Sequence, residues 1–109
     1  MVKRFRAKIY LNEVNHPIIP GSKYNFHFGL ITQLGTIKRL VAEYEDSEFK
    51  KLIKKKPRLL NSRAFAEVKI RLDKRTPMEN IINFKPYSTF QISNEFDTIG
   101  FGHVTELIR

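Results

Sequence analysis

Six cations stand within nine residues near the middle of this chain: Lys50, Lys51, Lys54, Lys55, Lys56 and Arg58. Lysine and arginine displace condensed counterions from nucleic acid, so such a run can hold phosphates, with binding that weakens steeply as salt rises. The other use of such a run is a solvated loop that keeps a domain dispersed, and the sequence leaves both open. No aromatic residue is interleaved from Lys54 to Arg58, so base stacking is not indicated there. Contacts to phosphate position a protein on its partner without reading sequence. A second set of cations, Arg4, Arg6, Lys8, Lys69 and Arg71, alternates with apolar residues in two other segments and is the second candidate surface. The net charge of +9 and a pI near 10 attract polyanions whatever the fold. RNA backbone, including that of the ribosome, heads the partner classes this implies.

Other chemistry is hard to find. Neither GxxxxGK[ST] nor GxGxxG occurs, and the glycines of IGFGHV, Gly100 and Gly102, lie in a strand pattern with no helix signal after them. Glycines so placed let a backbone or a bulky side chain come close. His16, His27 and His103 are not at metal-ligand spacing and there is no cysteine, so neither a thiolate site nor a disulfide is available. Ser22, Ser47, Ser62, Ser88 and Ser93 have no GxSxG context. The carboxylates read as solvated charge. The expectation is a chain with no catalytic residues, no metal and no cofactor of its own. Its amino terminus has no apolar h-region and nowhere are there 18 consecutive apolar residues, so neither a signal peptide nor a membrane span is expected. With no cysteine, a reducing, cytoplasmic location fits.

At 109 residues the size prior gives a single domain. The elements must position those cations, and one segment declares itself. From Ala64 to Leu72 the even positions Ala64, Ala66, Val68, Ile70 and Leu72 are apolar; the odd ones are Phe65, Glu67, Lys69 and Arg71. Strand side chains alternate between faces, so this is a strand with one wall on a core and one in water. A first strand over about Lys3–Glu13 puts Phe5, Ala7, Ile9 and Leu11 on one face and Arg4, Arg6, Lys8 and Tyr10 on the other. HPIIPGS then suits a type II turn with Gly21 at the positive-φ position. A second strand sets Tyr24, Phe26, Phe28 and Leu30 against Lys23, Asn25, His27 and Gly29. After Gly35 a third runs over Thr36–Tyr44 with a less regular period.

Between Asp46 and Lys56, Phe49, Leu52 and Ile53 sit at helical spacing, but a hairpin excursion ending at Pro57 is the preferred reading over a short helix. Residues 74–86 read as a polar connection. Ser88–Ile92 and Thr98–Leu107 read as closing strands, with Asn94-Glu95-Phe96-Asp97 as their turn. Six antiparallel strands without a convincing helix predict an all-β, six-stranded antiparallel barrel or sandwich, since closure removes exposed edges. Nine phenylalanines and no tryptophan make Phe the expected large core filler.

The order of these pieces resembles the third domain of the elongation factor Tu and elongation factor one-alpha class of translational GTPases, over almost the whole chain from Phe5 to Ile108. FRAKIYLNEVNHPIIPGSKYNFHFGL resembles that family's first two strands and the turn between them. TIKRLVAEYED resembles its third strand, which leads into a lysine-rich excursion. KKKPRLLNSRAFAEVKIRL resembles the "KKPKFLKSG" turn and following strand of the release-factor and ribosome-rescue branch. FKPYSTFQISNEFDTIGFGHVTEL resembles the closing pair. Ser88 and Thr89 stand where the family has a Gly-Arg pair before Phe90, Ser93 where it has a later Arg, and Arg63 where the branch has Gly. Lost arginines are forked donors that Ser cannot replace, which sets aminoacyl-tRNA binding in doubt.

The resemblance implies a β-barrel of translation-factor domain-three type. It would be a non-catalytic C-terminal piece of a larger GTPase-like factor in ribosome rescue or nonstop and no-go mRNA decay, nearest to the Ski-complex and exosome adaptor. GTP would belong to that protein's other domains. The partners implied are the GTPase and second domains in cis, the ribosome, and a protein of a rescue, release, exosome or Ski complex. The alternative is a self-standing basic barrel that binds RNA through phosphate contacts.

Overall fold

Alternation along Ala64–Leu72 is carried through without a fault: Ala64, Ala66, Val68, Ile70 and Leu72 are all buried, while Phe65, Glu67, Lys69 and Arg71 face outward. In the computed structural model, which describes residues 2–76 and 89–108, this segment belongs to the strand Phe65–Thr76. Seven strands are present among those residues and no helix: β1 Val2–Leu11, β2 Lys23–Phe28, β3 Ile31–Tyr44, β4 Leu52–Lys55, β5 Phe65–Thr76, β6 Thr89–Ser93 and β7 Thr98–Ile108. Hydrogen bonding runs in the order β2-β6-β7-β1-β5-β3, and a β2–β3 pairing closes the ring. The result is an antiparallel six-stranded barrel, as expected, with β4 as an added seventh strand. β3 is long enough to serve two neighbours on one edge: β2 along its first half and β4 along its second.

Phenylalanine does fill the core. Phe90 is the hub, with ring centroids 5.8 Å from Phe5, 5.9 Å from Phe26 and 5.2 Å from Phe28. Burying each such ring contributes about 2–3 kcal/mol, and edge-to-face contacts add about 0.5–1.5 kcal/mol per pair. The glycines read as packing positions prove to be so. A Cβ on Gly102 would stand 2.6 Å from Phe90 Cζ, and one on Gly100 would collide with the carbonyl oxygen of Tyr10.

The two loops at one end plug the barrel. Ile18 and Leu60, both fully buried, exchange backbone hydrogen bonds of 2.9 and 2.8 Å. In the first loop Ser22 N donates to Ile19 O at 3.1 Å, and Gly21 has φ +95°, as a Pro-Gly type II turn requires.

Several expectations need correction. Leu30 is not on the inner face of β2: Gly29 and Leu30 form the two-residue turn to β3, and Leu30 is fully exposed. β3 starts at Ile31 and not at Thr36, so Gly35 lies inside the strand, buried where a Cβ would press on Arg71 O and the Phe26 ring. Lys74 to Thr76 continue β5 and are not part of a connection. The rest of that connection, and Ser88, lie outside the described residues. The closing strands begin at Thr89 and end at Ile108, and Asn94 Oδ1 accepts from Phe96 N at 2.9 Å and Asp97 N at 2.7 Å to shape their turn.

The stretch Asp46–Lys56 is an excursion and not a helix. Phe49 N donates to Asp46 O at 3.2 Å, then Phe49 takes a left-handed φ of 54°, which stops any helix. Its ring packs 5.5 Å from Tyr44 and 6.0 Å from Phe65. Leu52 and Ile53 go instead into β4 and remain exposed.

Candidate nucleic-acid and partner interface

Cations reach the outer face of this barrel by two routes. On β1 and β5 simple alternation sends Arg4, Arg6, Lys8, Lys69 and Arg71 outward. The strands are in register as Arg4↔Arg71, Arg6↔Lys69 and Lys8↔Glu67, so the secondary candidates form one ladder of side chains. Like charges directly opposite one another destabilise a sheet by roughly 0.2–1 kcal/mol per pair. Among the described residues only Arg6 gains a carboxylate there, Glu67 Oε2 at 3.7 Å.

The second route is a β-bulge. β3 shifts register against β5 between Ile37 and Arg39, leaving Lys38 as the extra residue. Ile37 and Leu40 are buried and the two residues between them are both exposed. A bulge re-aims a side chain in this way, so Lys38 and Arg39 sit side by side on the outer face. The backbone around them is anchored at both ends. Ile37 N donates to Ser22 O at 2.9 Å, Gly21 N to Ile37 O at 2.8 Å, and Lys56 N to Val41 O at 3.0 Å. Between those anchors neither β2 nor β4 reaches the edge of β3. A cleft of about 500 Å³ occupies the gap, lined by Arg6, Lys38, Arg39, Lys56 and Lys69 over a floor that includes Leu40 and Pro57.

The primary candidates, Lys50, Lys51, Lys54, Lys55, Lys56 and Arg58, are all exposed along the β4 arm. Lysines on an edge strand also discourage pairing with another sheet, so exposure alone does not distinguish the two uses of the run. Of these six, Lys56 alone lines the cleft; it is joined there by Arg6 and Lys69 from the secondary set. Lys38 and Arg39 were missed in the sequence. Their signal was the broken period itself, two cations flanked by Ile37 and Leu40, which a strand can bury together only by bulging between them.

A second cleft, of about 600 Å³, opens further round the outer face. Tyr10 lies opposite both Phe65 and Phe101, and Phe49 folds down beside them with Lys8 Nζ 5.2 Å from its ring centroid. His103 is in the same cleft, and burial, helped by the neighbouring Lys8 charge, holds its pKa below the usual histidine range. His27 bridges two hydroxyls, with Nδ1 2.8 Å from Thr32 Oγ1 and Nε2 2.6 Å from Ser93 Oγ. That ring is a stitch between strands. His16 is exposed in the first loop.

No cluster of His, Cys, Asp or Glu able to hold a metal occurs among the described residues. A Cβ added at Gly100 or Gly102 would meet the Tyr10 carbonyl, Ile9 or Phe90, so these two glycines serve close packing. Among the described residues no helix is long and apolar enough to cross a membrane.

The closed antiparallel barrel with an added lysine-bearing strand is the C-terminal domain fold of translation factors. The model of the family described as GTP-eEF1A C-terminal domain-like matches residues 4–105, and the chain belongs to that family. Among solved structures, Sup35 complexed with GDP superposes with a TM-score of 0.79 at 15% identity, covering 99% of this chain. Sup35 complexed with GMPPNP gives 0.78 at 14% identity over 98%. The chain spans about a quarter of each of those proteins (26%). Thr89 is exposed, and the hydroxyl of Ser93 is held by His27.

Proposed function

We propose that this chain serves as a non-catalytic C-terminal domain of a GTPase-like factor acting in ribosome rescue or mRNA surveillance in the cytoplasm. The domain packs against GTPase and second domains of the same protein, which hold the GTP, and presents its outer face to the ribosome or to a protein of a release, exosome or Ski complex. The observation that carries this reading is the coverage of the whole barrel by the family, residues 4–105, together with a cationic arm exposed along β4.

A self-standing RNA-binding barrel is the second reading, favoured by the bulge-built cleft with its five cations. The two part at the gene: a GTPase-like reading frame continuous with Met1 supports the first, and an in-frame stop immediately upstream supports the second.

The arm is tested by replacing Lys54, Lys55 and Lys56 with Ala and measuring ribosome and RNA binding across a salt series. The expected result is weaker binding with unchanged melting, and a salt slope lower by about 0.7–0.9 for each phosphate no longer engaged. Binding equal to wild type at every salt concentration would reduce the arm to a solubilising loop. The isolated chain should give no heat with GTP or GDP.

A further inference from the structure

We propose that the cleft between β2 and β4 on the edge of β3 is a binding site for the phosphodiester backbone of RNA, with Lys38 and Arg39 as its central contacts and Arg6, Lys56 and Lys69 around them. The proposal rests on the polyanion-facing reading above and gives it a location that the lysine run does not.

Three observations carry it. The cleft is lined by five cations and by no carboxylate. Arg6 is partly neutralised by Glu67 at 3.7 Å, whereas Lys38, Arg39, Lys56 and Lys69 have no ion-pair partner among the described residues. Next, the cations are stacked in the sheet. Arg6↔Lys69↔Arg39 cross three strands on one rung, and Arg4↔Arg71 cross two on the rung beside it. Rows of like charge cost stability in the free domain, and a polyanion laid across them removes that cost. Lastly, the site is preorganised: the hydrogen bonds from Gly21, Ser22 and Lys56 hold β3 at Ile37 and Val41, on both sides of the two central cations.

A repeating anion fits better than a single phosphate group. Cations continue out of the cleft in two directions, to Arg4 and Arg71 along β1 and β5 and to Lys54 and Lys55 on β4. A phosphorylated peptide would engage one such group and leave the rest of the track idle. Arg39 supplies a planar fork for phosphate oxygens and Lys38 a point charge, so neither reads bases.

The test uses the full chain with a fluorescein-labelled oligouridylate of about twelve nucleotides, titrated over a salt series. Lys38→Gln with Arg39→Gln removes two phosphate-binding cations, so the salt slope should fall by about 1.4, and affinity at 0.1 M salt by about 25-fold with the 1 M intercept unchanged. Lys23→Gln, at a cation already paired with Asp73 at 3.5 Å, should bind as wild type. An oligoadenylate should behave as the oligouridylate does.

The cleft is refuted, with the wider reading intact, if the Lys38/Arg39 variant binds like wild type while the Lys54/Lys55/Lys56 variant is weakened. Both fall if neither variant is weakened or if the wild-type chain fails to bind the oligonucleotide. A polyglutamate peptide that competes as well as the oligonucleotide would overturn the assignment to RNA. Lys38 and Arg39 are both exposed, and unchanged melting of the double variant separates weakened phosphate binding from a damaged fold.

Discussion

β5 and β3 are neighbours in the same barrel and have opposite manners. β5 alternates strictly, buries Ala66, Val68, Ile70 and Leu72, and pairs with β1 rung for rung from Arg4↔Arg71 to Tyr10↔Phe65. β3 slips twice against it, between Ile37 and Arg39 and between Leu40 and Ala42. Strict alternation gives every inner position to the core and sends only every second residue of the strand outward. A slip breaks that rule locally and puts two neighbouring residues on the outside. The lesson is a division of labour: regular strands close the barrel, and the irregular one concentrates charge at a chosen place.

The comparison breaks most completely at Val68. Val68→Asp puts an unpaired carboxylate at a fully buried position, at a cost of several kcal/mol, about the whole stability of such a domain. Circular dichroism should show an unfolded chain at room temperature. A variant that melts like wild type would mean that β5 is out of register.

The bulge should be far more forgiving. Ile37↔Ile70 and Arg39↔Lys69 flank Lys38, which has no partner of its own on β5. Deleting Lys38 therefore leaves both rungs in place, and the destabilisation should stay near the ~1 kcal/mol of an ordinary substitution. Thermal melting should shift by a few degrees, with the same core. Collapse of the fold on deletion would show that the bulge is structural and not a device for placing charge.

Just before β5, Arg63 sits at φ 65°, in the left-handed region that favours glycine. A side chain in that region costs about 1–2 kcal/mol, and glycine returns part of the gain as backbone entropy. Arg63→Gly should raise stability by about 0.5–1 kcal/mol in urea unfolding, with no change in the burial of β5. A fall in stability would show that Arg63 makes an interaction worth more than its strain.

The smallest effect concerns pH. The folded-state pKa of His103 lies below its unfolded value, through burial first and Lys8 second. The unfolded chain therefore takes up the proton more readily. The contribution of this group is complete above the unfolded value of about 6.5 and is lost as pH falls through it. Lys8→Gln should raise the pKa of His103 in an NMR titration and soften that acid-side loss. An unchanged titration would make burial the sole cause.

Much of this protein was legible in one dimension because a strand with one wet face writes its own pattern. The inner faces of β1 and β5, the Pro-Gly turn at Gly21, the closing hairpin around Asn94 and the packing glycines 100 and 102 each depend on residues within a few positions of one another. Sequence therefore determined the strands, their faces and the all-β class. The fate of Phe49, Leu52 and Ile53 was undetermined, since helix and hairpin spacing coincide over so short a stretch. Long-range packing against Tyr44 and Phe65 decided it. The cleft was out of reach for a stronger reason. Arg6, Lys38, Lys56 and Lys69 are far apart in the chain, and a period cannot report which of several strands lie side by side. Only the tertiary strand order, by bringing β1 and β3 to either side of β5 and folding the β4 arm back along β3, put those charges around one space.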